Sequence, residues 1–138
     1  MLQLELTEMQ EMIRDTAREF AQNEVAPSAI ERDIKGEFPA EIVAKLGELG
    51  FLGMMVSPEW GGAGLDAVSY VVAMEEISKV DASVGVIMSV NNSLVCWALE
   101  TFGTDDQKER FLRPLASGQG SAARAAASPP TSCRPTRT

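Results

Sequence analysis

The chain of 138 residues contains no histidine at all. That removes the commonest general base and the commonest zinc ligand. It has two cysteines, Cys96 in an apolar stretch and Cys133 in a polar one. Two thiols in such different settings read as free, so no disulfide framework is expected, which fits a reducing compartment. Basic residues are scarce: 12 Lys and Arg face 20 Asp and Glu, a net charge of −8. All the acids precede residue 119, while Arg124, Arg134 and Arg137 stand in the last segment with no acid beside them. An acidic body of this kind excludes nucleic acid as a partner and offers no polybasic patch to an anionic membrane. The most apolar stretch, Val84 to Leu99, is interrupted by Ser89, Asn91, Asn92 and Ser93. It reads as too short and too polar for a membrane span. Met1-Leu2-Gln3-Leu4-Glu5 lacks the basic and apolar regions of a targeting signal.

What is present is helical patterning. Hydrophobic residues make up 45% of the chain, enough for one domain with a core. Thr7 with Gln10 is a capping-box pair, and Met9, Ile13, Ala17, Phe20 and Val25 follow at helical spacing until Pro27 bends the chain. Pro39 opens a second helix carrying Ile42, Leu46 and Leu49, closed by Gly50. Phe51 to Val56 is apolar without a polar face and should be buried. Asp66 caps a third helix whose apolar members are Val68, Val71, Val72, Met74 and Ile77. Asp81 or Ser83 opens a fourth, running to Phe102, apolar nearly all round and so expected to be the most buried. Thr104 with Gln107 starts a fifth, broken near Pro114. No strand alternation is visible. The fold class is all-α: a bundle of about five helices over residues 1–118, with a disordered carboxy-terminal tail over 119–138.

Few residues carry chemistry. Gly61 to Gly64 is not a phosphate-binding glycine pattern, and no strand leads into it, so Trp60 to Gly64 reads as a structural turn with Trp60 plugging it onto the bundle. Glu75 and Glu76 point about 100° apart on a helix, so they form no facing acid–base pair and read as solvated or salt-bridged. Glu100 reads as structural, and Cys96 lacks any histidine to make it a nucleophile. Asn92 and Ser93, in an apolar helix, read as cross-helix hydrogen-bonding groups.

Four segments carry a resemblance. Glu59-Trp60-Gly61-Gly62-Ala63-Gly64-Leu65-Asp66 resembles a loop of the acyl-CoA dehydrogenases, and Met74-Glu75-Glu76-Ile77-Ser78 resembles the helix that follows it there. Val86 to Leu94 is similar to the short-chain (butyryl-CoA) members. Phe102-Gly103-Thr104-Asp105-Asp106-Gln107-Lys108, with Phe111, Leu115 and Gly118, resembles a later segment of the same family. In this order, over residues 4–118, they identify the chain as similar to the family's amino-terminal helical domain.

The resemblance implies an FAD-dependent oxidoreductase that converts a short-chain acyl-CoA to the 2-enoyl-CoA. Its catalytic glutamate and flavin contacts lie in later parts of the family fold. It therefore implies no catalytic, cofactor or metal residue in this chain, and an isolated chain that is inactive and does not retain FAD. The substrate-binding residues it implies are Met88, Val90, Asn91 and Leu94, on a helix that lines part of the acyl pocket. The implied partners are acyl-CoA and electron-transfer flavoprotein, in a homo-oligomer of the bacterial cytoplasm or mitochondrial matrix. After Gly118 the family pattern stops. A change of reading frame near Gln119, a cloning scar or a different carboxy terminus would each give the tail seen here, and the first is the working expectation. The alternative functional reading is a catalytically inert helical assembly or protein-binding module.

Overall fold

The computed structural model describes residues 5–119. The expectation of a disordered tail over 119–138 lies, apart from Gln119, outside the described residues. Among the described residues there is no strand, and the helices form five runs, as the periodicity predicts.

The first run is α1 (Glu8–Phe20), a π-helical segment (Ala21–Val25), a 3₁₀ turn (Ala26–Ser28) and α2 (Ala29–Lys35). Thr7 and Gln10 close the capping box in both directions, at 3.0 and 3.3 Å. Pro27 marks the 3₁₀ turn, where its missing N–H breaks the regular ladder. The second run, α3 (Ala40–Glu48), ends at Gly50, whose φ of 78° is open to glycine without a Cβ penalty. The third is α4 (Ala67–Val80), capped by Asp66, which accepts from the Ser69 N–H at 2.7 Å. The fourth is continuous over Ala82–Phe102: α5 (Ala82–Ser89), a π-helical segment (Val90–Cys96) and α6 (Trp97–Phe102). The fifth is α7 (Asp105–Gln107), a π-helical segment (Lys108–Leu112) and α8 (Arg113–Ala116). Its run passes Pro114 instead of breaking there and ends two residues later at Ala116; the proline follows directly on the π-helical segment, where the regular ladder is already interrupted.

Two clusters make the core. The larger joins Ile13, Ala17, Phe20 and Val25 with Val43, Leu46, Leu52, Met54, Ile77, Val84 and Met88. The smaller joins Val56, Cys96, Leu112 and Ala116 beneath Trp60, Leu99 and Leu115. At about 25 cal/mol per Å² of apolar surface buried, these clusters are the main driving force for the bundle.

Three expectations fail in detail. Leu49, Val68, Val71 and Met9 are exposed, and α4 instead turns Ser69, Ala73, Glu76 and Ile77 inward. Small residues there let α1 and α4 approach closely, and Glu76 is admitted because Arg18 of α1 meets it. The fourth run is not the most buried helix: Val86, Leu94, Trp97 and Phe102 stand in the open. It starts after the Asp81 cap and ends at Phe102 as expected, but it is not too short for a membrane span. Its 21 residues are apolar enough, by length and composition only, to cross a membrane, although it packs one side against the bundle.

Candidate functional site

The fourth run carries the predicted site, and its entry is built around Asp81. One carboxylate oxygen accepts from the N–H groups of Ser83 and Val84 at 2.8 and 3.2 Å. The other accepts from the Arg32 guanidinium at 2.6 Å, and both side chains are nearly buried. Arg32 also donates to Ser28 Oγ, so α2 is tied to the first turn of α5. Gly85 sets the spacing to α4, since a Cβ there would lie 2.2 Å from Ser78 Oγ.

The four predicted substrate-binding residues are not all on one surface. Met88 is fully buried in the larger core cluster, and Asn91 is fully buried beside it. Val90 is half-buried. Leu94 is 63% exposed. Sequence reasoning missed the residues that extend Leu94's surface. Val86 lies two short turns before it and Trp97 one turn after, both exposed, and the Trp97 and Phe102 rings meet edge to face at 5.8 Å. The spacing 86, 90, 94, 97 was available as a signal. It was hidden because the helix is apolar on its buried side as well.

Two concavities flank this surface. A groove of about 860 Å³ opens between α2 and the start of α5, with Ile30, Phe38, Val86 and Ile87 on its walls and Arg32 and Asp81 at its base. A second, of about 620 Å³, lies beyond Leu99, where Val95, Phe102, Phe111 and Leu115 meet. Both are open and mainly apolar. The second can take up hydrocarbon with almost no polar group to orient it, while the first also carries Arg32, Asp33, Glu37, Asp81 and Ser83.

Behind the surface, the asparagines secure an irregular strip of backbone. Phe51 to Val56 is buried but neither helical nor in a sheet, so its N–H and C=O groups need partners. Asn91 Nδ2 donates to Leu52 O at 2.8 Å and to Leu115 O at 3.2 Å. Asn92 Nδ2 donates to Phe51 O at 2.8 Å, and Asn92 Oδ1 accepts from Met54 N at 2.9 Å. The other side of the strip is met by the Trp60 loop: the N–H groups of Ala63, Gly64 and Leu65 donate to Gly53, Val56 and Met54 carbonyls. Glu100 accepts from Ser57 N at 3.0 Å, which gives it the structural role read from sequence. Trp60 packs on the smaller cluster as expected, with the Lys108 ammonium and the Arg113 guanidinium over its ring.

The charged groups are structural in their geometry. Glu76, 8% exposed, accepts from Arg18 Nε at 3.0 Å and Nη2 at 3.2 Å, and from Lys79 at 3.0 Å. The Arg18 bonds hold its carboxyl below the usual carboxylate range despite partial burial. Glu75 is exposed and pairs with Lys79. Burial pushes the Cys96 thiol up to about 12, with Glu100 adding to the shift, so it is protonated at neutral pH and is no nucleophile. The Gly61 to Gly64 turn does not fit a flavin's phosphates: a Cβ at Gly62 would meet Val56 O at 2.1 Å, and Pro58 fills the space at Gly64. Among the described residues no group of three acids or thiols is placed to hold a metal ion. The surface is one that can bind an apolar group.

The family profile of the acyl-CoA dehydrogenase N-terminal domain matches residues 7–119. The chain belongs to the acyl-CoA dehydrogenase family. It is 47% identical over 114 residues to the short-chain specific acyl-CoA dehydrogenase of Clostridium acetobutylicum, covering 83% of this chain and 30% of that one. To the mitochondrial short-chain specific acyl-CoA dehydrogenase of Bos taurus it is 50% identical over 115 residues, covering 83% and 28%. The fold superposes on butyryl-CoA dehydrogenase from Megasphaera elsdenii with a TM-score of 0.79 and 36% identity, over 87% of this chain and 32% of that structure. The chain thus spans less than a third of the length of these family members.

Proposed function

We propose that this domain forms one wall of the acyl pocket of an FAD-dependent acyl-CoA dehydrogenase that acts on short-chain acyl-CoA. The observation that carries the reading is the 47–50% identity to short-chain enzymes across the whole helical domain. In this reading Leu94 and Val90 offer apolar surface to the acyl chain. Met88 and Asn91 lie behind them and hold the wall in place. The base and the flavin site belong to the parts of the family protein that this chain does not span, so the chain alone neither retains FAD nor oxidises acyl-CoA. Its partners are acyl-CoA and electron-transfer flavoprotein, within a homo-oligomer in the bacterial cytoplasm or the mitochondrial matrix. The acidic surface weighs against nucleic acid and anionic membranes.

A chimera tests this directly. Residues 7–119 replace the matching segment of the Clostridium acetobutylicum enzyme, and butyryl-CoA oxidation is followed with a dye acceptor. Turnover with bound FAD is expected, together with none from the purified 138-residue chain. A folded, flavin-loaded chimera without turnover, or activity in the short chain, would sink the reading.

A second reading is favoured by one observation: Val86, Leu94, Trp97 and Phe102 are exposed on a single helical run. Such an apolar surface drives association, so the chain would serve as an inert assembly module. A monomer by light scattering across a range of concentrations would count against it.

A further inference from the structure

We infer that Asn91 and Asn92 are positioning residues. Together they fix the rotation of the Val90–Cys96 segment, and with it where Leu94 stands against an acyl chain. The inference rests on the acyl-pocket reading above and adds to it a determinant of chain-length preference that itself touches no substrate.

The geometry is specific. Both amides are fully or almost fully buried, although they are adjacent on one helix. Neighbouring residues of an α-helix point about 100° apart, so two consecutive side chains rarely serve the same strip of backbone. Here both reach Phe51 to Met54: Asn91 through Leu52 O, Asn92 through Phe51 O and Met54 N. Asn91 reaches the last helix as well, through Leu115 O. The pair therefore pins this turn to two other parts of the bundle at once.

The helix is π-helical at this place. Asn92 Nδ2 and Ser93 Oγ donate to the carbonyls four residues back, Met88 O at 3.0 Å and Ser89 O at 2.8 Å. Side-chain donors thus occupy carbonyls of the preceding turn, and the backbone ladder widens: Trp97 N–H reaches Asn92 O, five residues earlier. Each residue added to a turn swings everything after it by about 100° relative to an unbroken α-helix. Leu94 is two residues beyond Asn92, inside the widened segment. Loosening the pair lets the ladder relax toward α-helix, which carries Leu94 around the axis and changes the depth of any pocket it lines.

The test uses the flavin-loaded chimera and two near-isosteric variants, Asn92→Asp and Asn91→Asp, each keeping the shape of the side chain while losing its Nδ2 donor. The kcat/KM values for butyryl-CoA and octanoyl-CoA are compared, with flavin content and Tm recorded for each protein. One methylene in an apolar pocket discriminates by about tenfold or more. A change of at least about tenfold in the butyryl-to-octanoyl ratio is therefore expected in a variant that keeps its flavin. A lower Tm with an unchanged ratio in both variants would show a merely structural pair and overturn the inference while leaving the acyl-pocket reading intact. A wild-type chimera that folds, holds flavin and does not turn over would overturn both. Hydrogen exchange read in the 138-residue chain itself supplies a readout free of activity. Faster exchange of the Met54 and Trp97 amides in Asn92→Leu, which removes the oxygen that accepts from Met54 N, with the α1 amides unchanged, supports the clamp, and unaltered exchange at Met54 and Trp97 counts against it.

Discussion

Replacing Asn92 by leucine removes the polar atoms and keeps the branched outline, although leucine is the larger side chain, so its cost combines lost hydrogen bonding with some overpacking. The side chain makes two bonds to the buried strip, with Phe51 O at 2.8 Å and Met54 N at 2.9 Å, and one to Met88 O of its own helix. Leucine leaves the carbonyl of Phe51 and the N–H of Met54 without these partners in a region closed to water. A buried backbone group left unsatisfied costs about 1–3 kcal/mol. Two such groups make the expected loss about 2–6 kcal/mol, while the gain from burying leucine in place of an amide takes back about 1 kcal/mol. A domain of this size is stable by roughly 6–17 kcal/mol, scaling from about 0.05–0.15 kcal/mol per residue. The variant should therefore be visibly weakened yet still foldable in the cold. Urea unfolding of the 138-residue chain, followed by far-ultraviolet circular dichroism, reads the change as a shift in midpoint at constant slope. Ser93→Ala is the control, losing a bond to Ser89 O within the same helix, and should cost under about 1 kcal/mol. A loss for Asn92→Leu no larger than that of the control would refute the idea that the Phe51 to Met54 strip depends on this amide.

Two further outcomes follow from the same structure. The Glu76 carboxyl is held below its usual range, chiefly by hydrogen bonds from Arg18. It therefore contributes stability at pH values above about 4.5, its unfolded value, and loses it as the pH falls through the lower folded value. Glu76→Gln should lower stability by about 1 kcal/mol at pH 7, discounted because Arg18 is half exposed, and by less at pH 3. Equal losses at both pH values in urea titrations would contradict the pairing. Gly53→Ala should be more damaging than its size suggests, since the added Cβ would meet Ala116 O at 2.6 Å and Ala116 Cα at 2.9 Å. Such overpacking costs about 1–3 kcal/mol. A Tm within a degree of the parent's would show that α8 yields freely.

Much of the bundle is legible in the sequence. Thr7–Gln10, Asp66 and Thr104–Gln107 end up as helix caps because capping depends on a few neighbouring residues. The site was only partly legible. Family resemblance groups Met88, Val90, Asn91 and Leu94 together, and the structure divides them between the core and the open surface. Two clues went unjoined: adjacent asparagines in an apolar helix, and an apolar strip at Phe51 to Val56 with no secondary structure to satisfy its backbone. Each was a problem in hydrogen bonding that the other solves, but they stand about 40 residues apart, at a separation where spacing carries no information.

By itself, then, the sequence determined the helical class, the helix starts, the acidic surface and the family, because each of these is set by local patterning or by motifs within a few turns. The tertiary structure decided which side of each helix is inside. Along Ala82–Phe102 apolar residues lie on every side, so hydrophobic periodicity cannot choose a face. That choice was made by contacts distant in sequence: Arg32 at the Asp81 cap, and the backbone of Phe51 to Met54 against Asn91 and Asn92. With these contacts holding one side of the helix, Leu94 and Trp97 are left facing outward.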